Sequence, residues 1–344
     1  MWSKAKTQTQ FIQGQTYTCQ RTIDSLVIDG LANEISWQKA AWSNDFVDIE
    51  GAKMPNPYLK TQVKMLWDDD YFYFYAKLEE PHIWAVLKQR DTVIYWDNDF
   101  ELFIDPTNDT HNYYELELNA LNTVWDLMLT KPYRDGGRAI TALDIAGLKT
   151  AVYVEGTLNN ASDIDTYWSV EAAIPWKVLL ETVPQKQRVI EGKEMRINYS
   201  RVQWKTNIID GRYVKKKQPE LNWVWSPQRA VAMHEPEFWG RLYFSPETVG
   251  TEKKVHFDIE SEQVRQLIYT IHRKQRQSLK TTGQFINSKE ELLEPRTLLN
   301  NTLIDWTLEA DQYWYHVKLI DPFDPEISWH IDETGRVWND ETEK

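Results

Sequence analysis

Residues 92–129, TVIYWDNDFELFIDPTNDTHNYYELELNALNTVWDLML, hold the pattern that decides the fold. Phe100, Leu102 and Ile104 alternate with Glu101, Phe103 and Asp105. This is the period of two of a half-buried strand, whose successive side chains point to opposite faces. Pro106, Thr107, Asn108 and Asp109 supply a turn, and Tyr114, Leu116 and Leu118 then alternate with Tyr113, Glu115 and Glu117. Joining the two apolar rows predicts a hairpin with Glu101, Glu115 and Glu117 on its other face. Three neighbouring carboxylates repel one another, so such a face is kept only where the acids are solvated, paired or in use. An aromatic and acidic entrance, Tyr95, Trp96, Asp97, Asn98 and Asp99, leads into the first strand.

Outward from the hairpin, composition narrows the class. The chain has 344 residues, enough for two domains or for one large domain with an appendage. Its 17 Trp, 17 Tyr and 11 Phe exceed what helical bundles need and suit antiparallel sheets, sugar platforms and interfaces. A formal charge of −13 argues against nucleic acid as a partner, because a phosphate backbone must be met by clustered Lys and Arg. The only basic run is Lys215-Lys216-Lys217. The single cysteine, Cys19, rules out an internal disulfide framework and a cysteine-ligated metal. No window approaches the ~20 apolar residues of a membrane helix, and the polar residues 1–20 lack the apolar core of a signal peptide.

Taken in order, residues 1–22 are Gln-rich and are expected to form a loose arm. Val27 and Ile28 predict a short strand, Asp29-Gly30 a turn, and residues 33–41 a helical turn that buries Trp37. Residues 60–65 and 71–76 predict a hairpin around Trp67-Asp68-Asp69-Asp70. A loop follows over 131–144, and further strands are expected at 148–155, 167–174, 195–203 and 241–244. A short helix is expected at 175–180 and a long polar loop over 205–222. Together these elements predict an all-β fold over 23–248, an antiparallel β-sandwich of jelly-roll or immunoglobulin-like type. The style changes near 248–254. Val264, Leu267, Ile268, Ile271 and Leu279 recur at helical spacing and predict a helix over 261–281 that ends before Gly283. Strands at 302–308, 313–320 and 327–338, the last with a turn at 333–335, complete a small α+β module over 255–344.

Three kinds of chemistry are open to these residues. Paired carboxylates serve glycosidases, and Glu101 with Glu115 or Glu117 supplies a pair. An acid, however, needs its pKa raised by burial, and no local pattern singles out one glutamate. No serine elbow, His-Glu helix motif, P-loop or dinucleotide fingerprint is present. Metal is the second possibility: Asp68, Asp69 and Asp70, or Asp97, Asn98, Asp99 and the 105–109 turn, are oxygen donors of the kind Ca²⁺ takes, although Asp and Asn also favour turns on their own account. The third is carbohydrate. A pyranose has an apolar C–H face and an equator of hydroxyls, which an aromatic platform with a polar rim recognises. Tyr95, Trp96, Trp223 and Trp225 stand in polar surroundings as candidate platforms, with Glu101, Asn119, Asn122 and Arg138 as the rim.

A resemblance bears on this choice. Val27-Ile28-Asp29-Gly30 with Trp37, then Leu66-Trp67-Asp68-Asp69-Asp70-Tyr71-Phe72-Tyr73, then Asn98-Asp99-Phe100-Glu101-Leu102-Phe103-Ile104-Asp105-Pro106 come in a characteristic order. They are followed by Tyr113-Tyr114-Glu115-Leu116-Glu117-Leu118-Asn119-Ala120, Ala173-Ile174-Pro175-Trp176, Trp225-Ser226-Pro227 and Phe238-Trp239-Gly240. In that order the segment over about 26–244 resembles the family 9 carbohydrate-binding modules, in their broader bacterial branch. The resemblance implies a non-catalytic, exported β-sandwich that works on oligosaccharide or polysaccharide beside a glycan-degrading enzyme. It implies structural calcium away from the sugar site. It also implies two aromatic walls, matched by Tyr95 or Trp96 and by Trp225, with Glu101 as a ligand residue. This chain departs from the pattern at Glu115 and Glu117, where the sugar-binding members carry an amide and an arginine. The missing donors are then expected from Lys131, Arg134 or Arg138. Besides glycan binding, two alternatives stay open: a xylanase-type glycoside hydrolase, and a scaffold whose C-terminal module binds a partner protein.

Overall fold

The computed structural model describes residues 13–252, 255–293, 298–299 and 302–340. The hairpin forms as its alternation requires. Asp99–Asp105 pairs antiparallel with Tyr113–Asn119, placing Phe100 opposite Leu118, Leu102 opposite Leu116 and Ile104 opposite Tyr114. All six enter the main core, and Glu101 faces Glu117 across the other side.

Around this hairpin runs a thirteen-stranded sheet. Its order is Ala139–Ile140, Val124–Leu129, Tyr113–Asn119, Asp99–Asp105, Glu194–Gln203, Gly240–Thr248, Thr16–Arg21, Thr61–Trp67, Tyr71–Glu79, Tyr167–Pro175 and Lys149–Glu155, with Leu221–Val224 and Val47–Asp48 attached beside Glu194–Gln203. The sheet folds back on itself into two layers. Phe100 of one layer meets Phe74 of the other at 5.8 Å between ring centroids, and Phe72 meets Phe244 at 5.9 Å. This is the expected β-sandwich, and its core lies between the layers.

The pairings are antiparallel except at the seam. Thr16–Arg21 runs parallel to both Gly240–Thr248 and Thr61–Trp67 and joins the two layers. The loose arm expected over 1–22 is thereby corrected: Tyr17 and Cys19 point into the core, and residues 1–12 lie outside the described residues. Val27 and Ile28 form no strand. Their segment is held by Glu171, whose carboxylate accepts from the Asp29 and Gly30 amides and from the Trp37 indole at 3.0, 2.9 and 2.8 Å. Trp37 itself is fully buried within the short helix Ile35–Lys39, as expected. The polar loop expected over 205–222 contains a hairpin, Thr206–Ile209 with Arg212–Lys215, and the strand Leu221–Val224. Ile208, Ile209 and Val214 in that hairpin are exposed, so no buried face marked it in the sequence.

In the C-terminal module, Asp258 caps the helix Ile259–Thr282 by accepting from the Glu260 and Ser261 amides, each at 3.0 Å. The helix ends where Gly283 takes a left-handed backbone, φ +76°. Val264, Leu267, Ile268 and Ile271 pack on a sheet of four strands, Trp306–Ala310, Tyr315–Ile320, Ser328–Asp332 and Val337–Asn339. The sequence predicted three strands. The turn at Gly335 (φ +83°) divides the last run in two. The module docks on the sandwich through a buried Arg196–Glu262 ion pair, an Arg336–Asp109 pair at 2.9 Å, and a Thr110 hydroxyl donating to the Gly335 carbonyl at 3.0 Å.

Candidate functional site

The outer face of the central hairpin is a floor of acids. Asp99 and Glu101 are successive outward positions on one strand; on the next, Glu117 stands opposite Glu101, Asn119 opposite Asp99 and Glu115 opposite Phe103. Ser200 faces Glu101 from the other side. Carboxylate oxygens of Asp99, Glu101 and Glu117 lie within 4.8 Å of one another. All four acids are buried, and among the described residues none forms an ion pair. Asp99 is 0% exposed, and neither of its carboxylate oxygens makes a well-formed hydrogen bond. Burial pushes the Glu101 pKa up to about 7. Burial, reinforced by the nearby Glu101 charge, pushes those of Asp99, Glu115 and Glu117 well above the usual carboxylate range.

Aromatic residues rise beside this floor. The Glu117 carboxylate accepts from the amides of Ile94 and Tyr95 at 3.1 and 3.2 Å, fixing the single 3₁₀ turn Ile94–Trp96. The acid therefore positions the turn on which Tyr95 and Trp96 stand 39% and 53% exposed. The hairpin over 206–215 braces the turn from behind. Lys215 donates to the Trp96 carbonyl at 2.6 Å and lies 3.9 Å from the centre of the Trp204 ring, while the Trp204 indole donates to the Tyr95 carbonyl at 2.8 Å.

Tyr133, 51% exposed, forms a further wall. Its ring meets His234 edge-on at 4.6 Å between centroids, and burial together with the charges of Glu115 and Glu117 raises its pKa. Its turn, Tyr133–Asp135, is pinned by the C-terminal helix. Asp135 accepts from His272 Nε2 at 2.9 Å and stands 3.2 Å from both Arg134 Nε and Arg276 Nε. Arg134 pairs in turn with Glu235 at 2.6 Å and Glu237 at 2.8 Å. Burial opposes ionisation of Asp135, yet His272, Arg134 and Arg276 hold its pKa below the ordinary value. The two modules thus share one charge network, and one of the site's walls hangs from it.

Of the residues expected at the site, Tyr95, Trp96 and Glu101 come together on this face. The others do not. Asn119 is fully buried and fully engaged: its amide donates to the Leu87 carbonyl and to Asp97, and its oxygen accepts from the Leu121 and Thr123 amides. Trp223 is 2% exposed, with the Arg201 guanidinium 5.2 Å from its ring centre and Tyr58 edge-on at 5.1 Å. Trp225 is 1% exposed and lies so close under Gly240 that a Cβ there would stand 2.3 Å from its Cζ3. Both tryptophans are core residues in this structure, because strand pairing turns them inward where their polar sequence neighbours suggested a loop. Arg138 is exposed at the end of its loop, and its backbone amide donates to Thr130 Oγ1 at 3.1 Å.

The acidic turns have structural partners of their own. Asp68 accepts from the Asp70 and Tyr71 amides and from the Tyr73 hydroxyl, while Asp69 pairs with Arg21. Asp68, Asp69 and Asp70 therefore do not converge as a ligand set. Asp97 accepts from the Val86 and Leu87 amides, and Asp105 from those of Thr107, Asn108 and Thr110. The sequence reading missed Tyr133 and Trp125, the register partner of Glu117. Tyr133 carried the same signal that marked Tyr95, an aromatic residue in a polar turn. Trp125 gave none, since it lies on a regular strand.

Comparison with known proteins places this architecture. No curated protein matches the chain. Among solved structures, a protein from Bacteroides uniformis ATCC 8492 proposed to bind carbohydrate shares 16% identity over 68% of this chain and 100% of its own, with a TM-score of 0.49. A family 9 carbohydrate-binding module from Caldicellulosiruptor kristjanssonii, solved with cellotriose and with glucose, shares 16% and 17% identity. Each of its two structures covers 70% of this chain and 100% of its own, with TM-scores of 0.42 and 0.43. Residues 28–244, more than half of the chain, match the carbohydrate family 9 binding domain-like family, and the chain belongs to that family.

Proposed function

We propose that this chain is a non-catalytic carbohydrate-binding protein that holds a glycan on the acid face. Tyr95, Trp96 and Tyr133 would cover the apolar C–H faces of the sugar, and Glu101 and Glu117 would accept from its hydroxyls. One observation carries the reading: Glu117, itself part of the acid floor, fixes the turn that presents Tyr95 and Trp96. Aromatic rings and carboxylates are thereby held in one place, the combination a pyranose requires. Membership of the family supports it, and so does the buried indole N–H of Trp125, a donor with no partner. Assistance to a glycan-degrading enzyme, outside the cytoplasm, is the setting in which such a module acts.

Glycoside hydrolysis draws less support. A glycosidase needs environments that push two carboxyl pKa values apart, one acid and one ionised base or nucleophile. Here burial raises all four together.

Isothermal titration calorimetry tests the proposal, with glucose, cellotriose and a wider panel of oligosaccharides. At least one is expected to bind, with affinity lost in Trp96→Ala and the melting temperature unchanged. No heat from any member of the panel, or unaltered affinity in both Tyr95→Ala and Trp96→Ala, would overturn it.

A further inference from the structure

We propose that Asp99, Glu101 and Glu117 bind one hard divalent cation of the calcium class at the floor of the acid face. One oxygen from each lies within 4.8 Å of the others. Two ligands on opposite sides of a Ca²⁺ ion at 2.3–2.6 Å stand about 5 Å apart, so a single ion reaches all three. The donor set is oxygen only, without His or Cys, which selects a hard cation over zinc or copper.

The cluster is not a solvated patch of acids that adjusts to relieve repulsion. Its members are set on two paired strands, Asp99 and Glu101 at successive outward positions and Glu117 directly across from Glu101. Glu117 is further oriented by the Ile94 and Tyr95 amides.

A second observation points to a ligand. Asp99 is completely buried inside the cluster, and neither of its oxygens makes a well-formed hydrogen bond, the Val202 amide on the neighbouring strand being the one backbone donor that favours its charge. A buried carboxylate without well-formed hydrogen bonds is strongly disfavoured, and here its nearest charges are of its own sign. Among the described residues, no Lys, Arg or His pairs with any of the three. A divalent cation answers the three charges together and supplies the bonds that Asp99 lacks.

The position gives the ion a role. Ca²⁺ takes 6–8 oxygen ligands, so three carboxylates leave coordination positions that vicinal sugar hydroxyls can fill. Because Glu117 also holds the turn bearing Tyr95 and Trp96, cation binding and the aromatic wall are mechanically linked. This second role rests on the carbohydrate reading. The cation site itself does not.

The test uses the full chain, stripped with a chelator, dialysed and titrated with calcium chloride by calorimetry, with melting followed in parallel. The wild type is expected to bind calcium and to melt several degrees higher when saturated. Glu101→Gln with Glu117→Gln keeps side-chain shape and the amide acceptors while removing two charges. This double variant is expected to bind one calcium equivalent fewer, to melt at or above the wild type without calcium because the repulsion is gone, and to gain little on addition of the ion. Asp99→Asn is the milder companion should the double variant misfold, and Asp68→Asn is expected to keep the wild-type stoichiometry. Equal stoichiometry and equal melting gain in wild type and acid-face variants would overturn the proposal, as would a wild type that binds no calcium.

Glycan titrations with calcium and with chelator separate the two readings. Calcium binding lost in the variants, with no glycan bound under either condition, sustains the cation site and defeats the carbohydrate reading. Glycan binding that is identical in calcium and chelator, with unchanged calcium stoichiometry in the variants, does the reverse.

Discussion

Replacing Trp225 by alanine separates a tryptophan that builds the fold from one that meets ligand. The ring is 1% exposed, packs 6.4 Å from Tyr199 between centroids, and lies against the backbone at Gly240. A buried tryptophan removes about 150–250 Å² from water, worth roughly 4–6 kcal/mol at about 25 cal/mol/Å². Alanine retains about 1 kcal/mol of this, so the expected loss is about 3–5 kcal/mol, the usual range for a core tryptophan truncated to alanine. For a domain of this size each kcal/mol moves the midpoint by about 2–4 °C, which predicts a fall of about 6–20 °C. Thermal melts by near-ultraviolet circular dichroism, with urea titration for the free energy, provide the measurement. Trp96→Ala, at a position 53% exposed, is expected to shift stability by no more than about 0.5 kcal/mol while weakening glycan binding. A Trp225→Ala protein that melts with the wild type yet no longer binds glycan would refute the reasoning and return Trp225 to the ligand.

Other perturbations probe the surrounding structure. Asp135→Ala leaves His272, Arg134 and Arg276 without their shared acceptor and is expected to cost about 3–5 kcal/mol in denaturant titration, with a drop in glycan affinity as the Tyr133 turn loosens. Gly240→Ala drives a Cβ to 2.3 Å from Trp225 and is expected to cost about 1–3 kcal/mol, read as a lower melting temperature. Burial opposes ionisation of Glu237, but Arg134 and Arg273 outweigh it and hold its pKa down to about 2. Its folded pKa is depressed, so the stability it contributes, roughly 3 kcal/mol, is present above about pH 4.5 and is lost as pH falls towards 2. Stability measured from pH 5 to pH 2 should decline less steeply in Glu237→Gln than in the wild type.

Much of the architecture was legible because burial on one face writes a period into the chain. Phe100, Leu102, Ile104, Tyr114, Leu116 and Leu118 announced the hairpin and the direction of its acid face, and both were found as read. Val264, Leu267, Ile268 and Ile271 announced the long helix, and Gly283 its end, since a left-handed residue closes a helix most readily without a Cβ. Gly335 was read as a turn, and the two strands on either side of it were not separated.

What failed has a physical reason in each case. Thr16–Arg21 is short and polar, with only Tyr17 and Cys19 facing inward, and its membership of the sheet comes from backbone pairing with strands far away in the chain. The hairpin over 206–215 buries neither face, so alternation had nothing to report. Trp223 and Trp225 looked like loop platforms because their neighbours are polar. Their burial depends on Arg201, Tyr58 and Gly240, residues brought to them only by folding.

Periodicity and turn chemistry, both local properties of the chain, were enough to read the sandwich, the appended module and the side of the hairpin on which the acids stand. Tertiary structure alone decided which acids and aromatics share a site. It set Asp99 without a well-formed hydrogen bond beside Glu101 and Glu117, turned Trp223 and Trp225 into the core, and hung Tyr133 from the C-terminal helix. Such convergence depends on distances between residues remote in sequence, and a linear pattern carries no record of them.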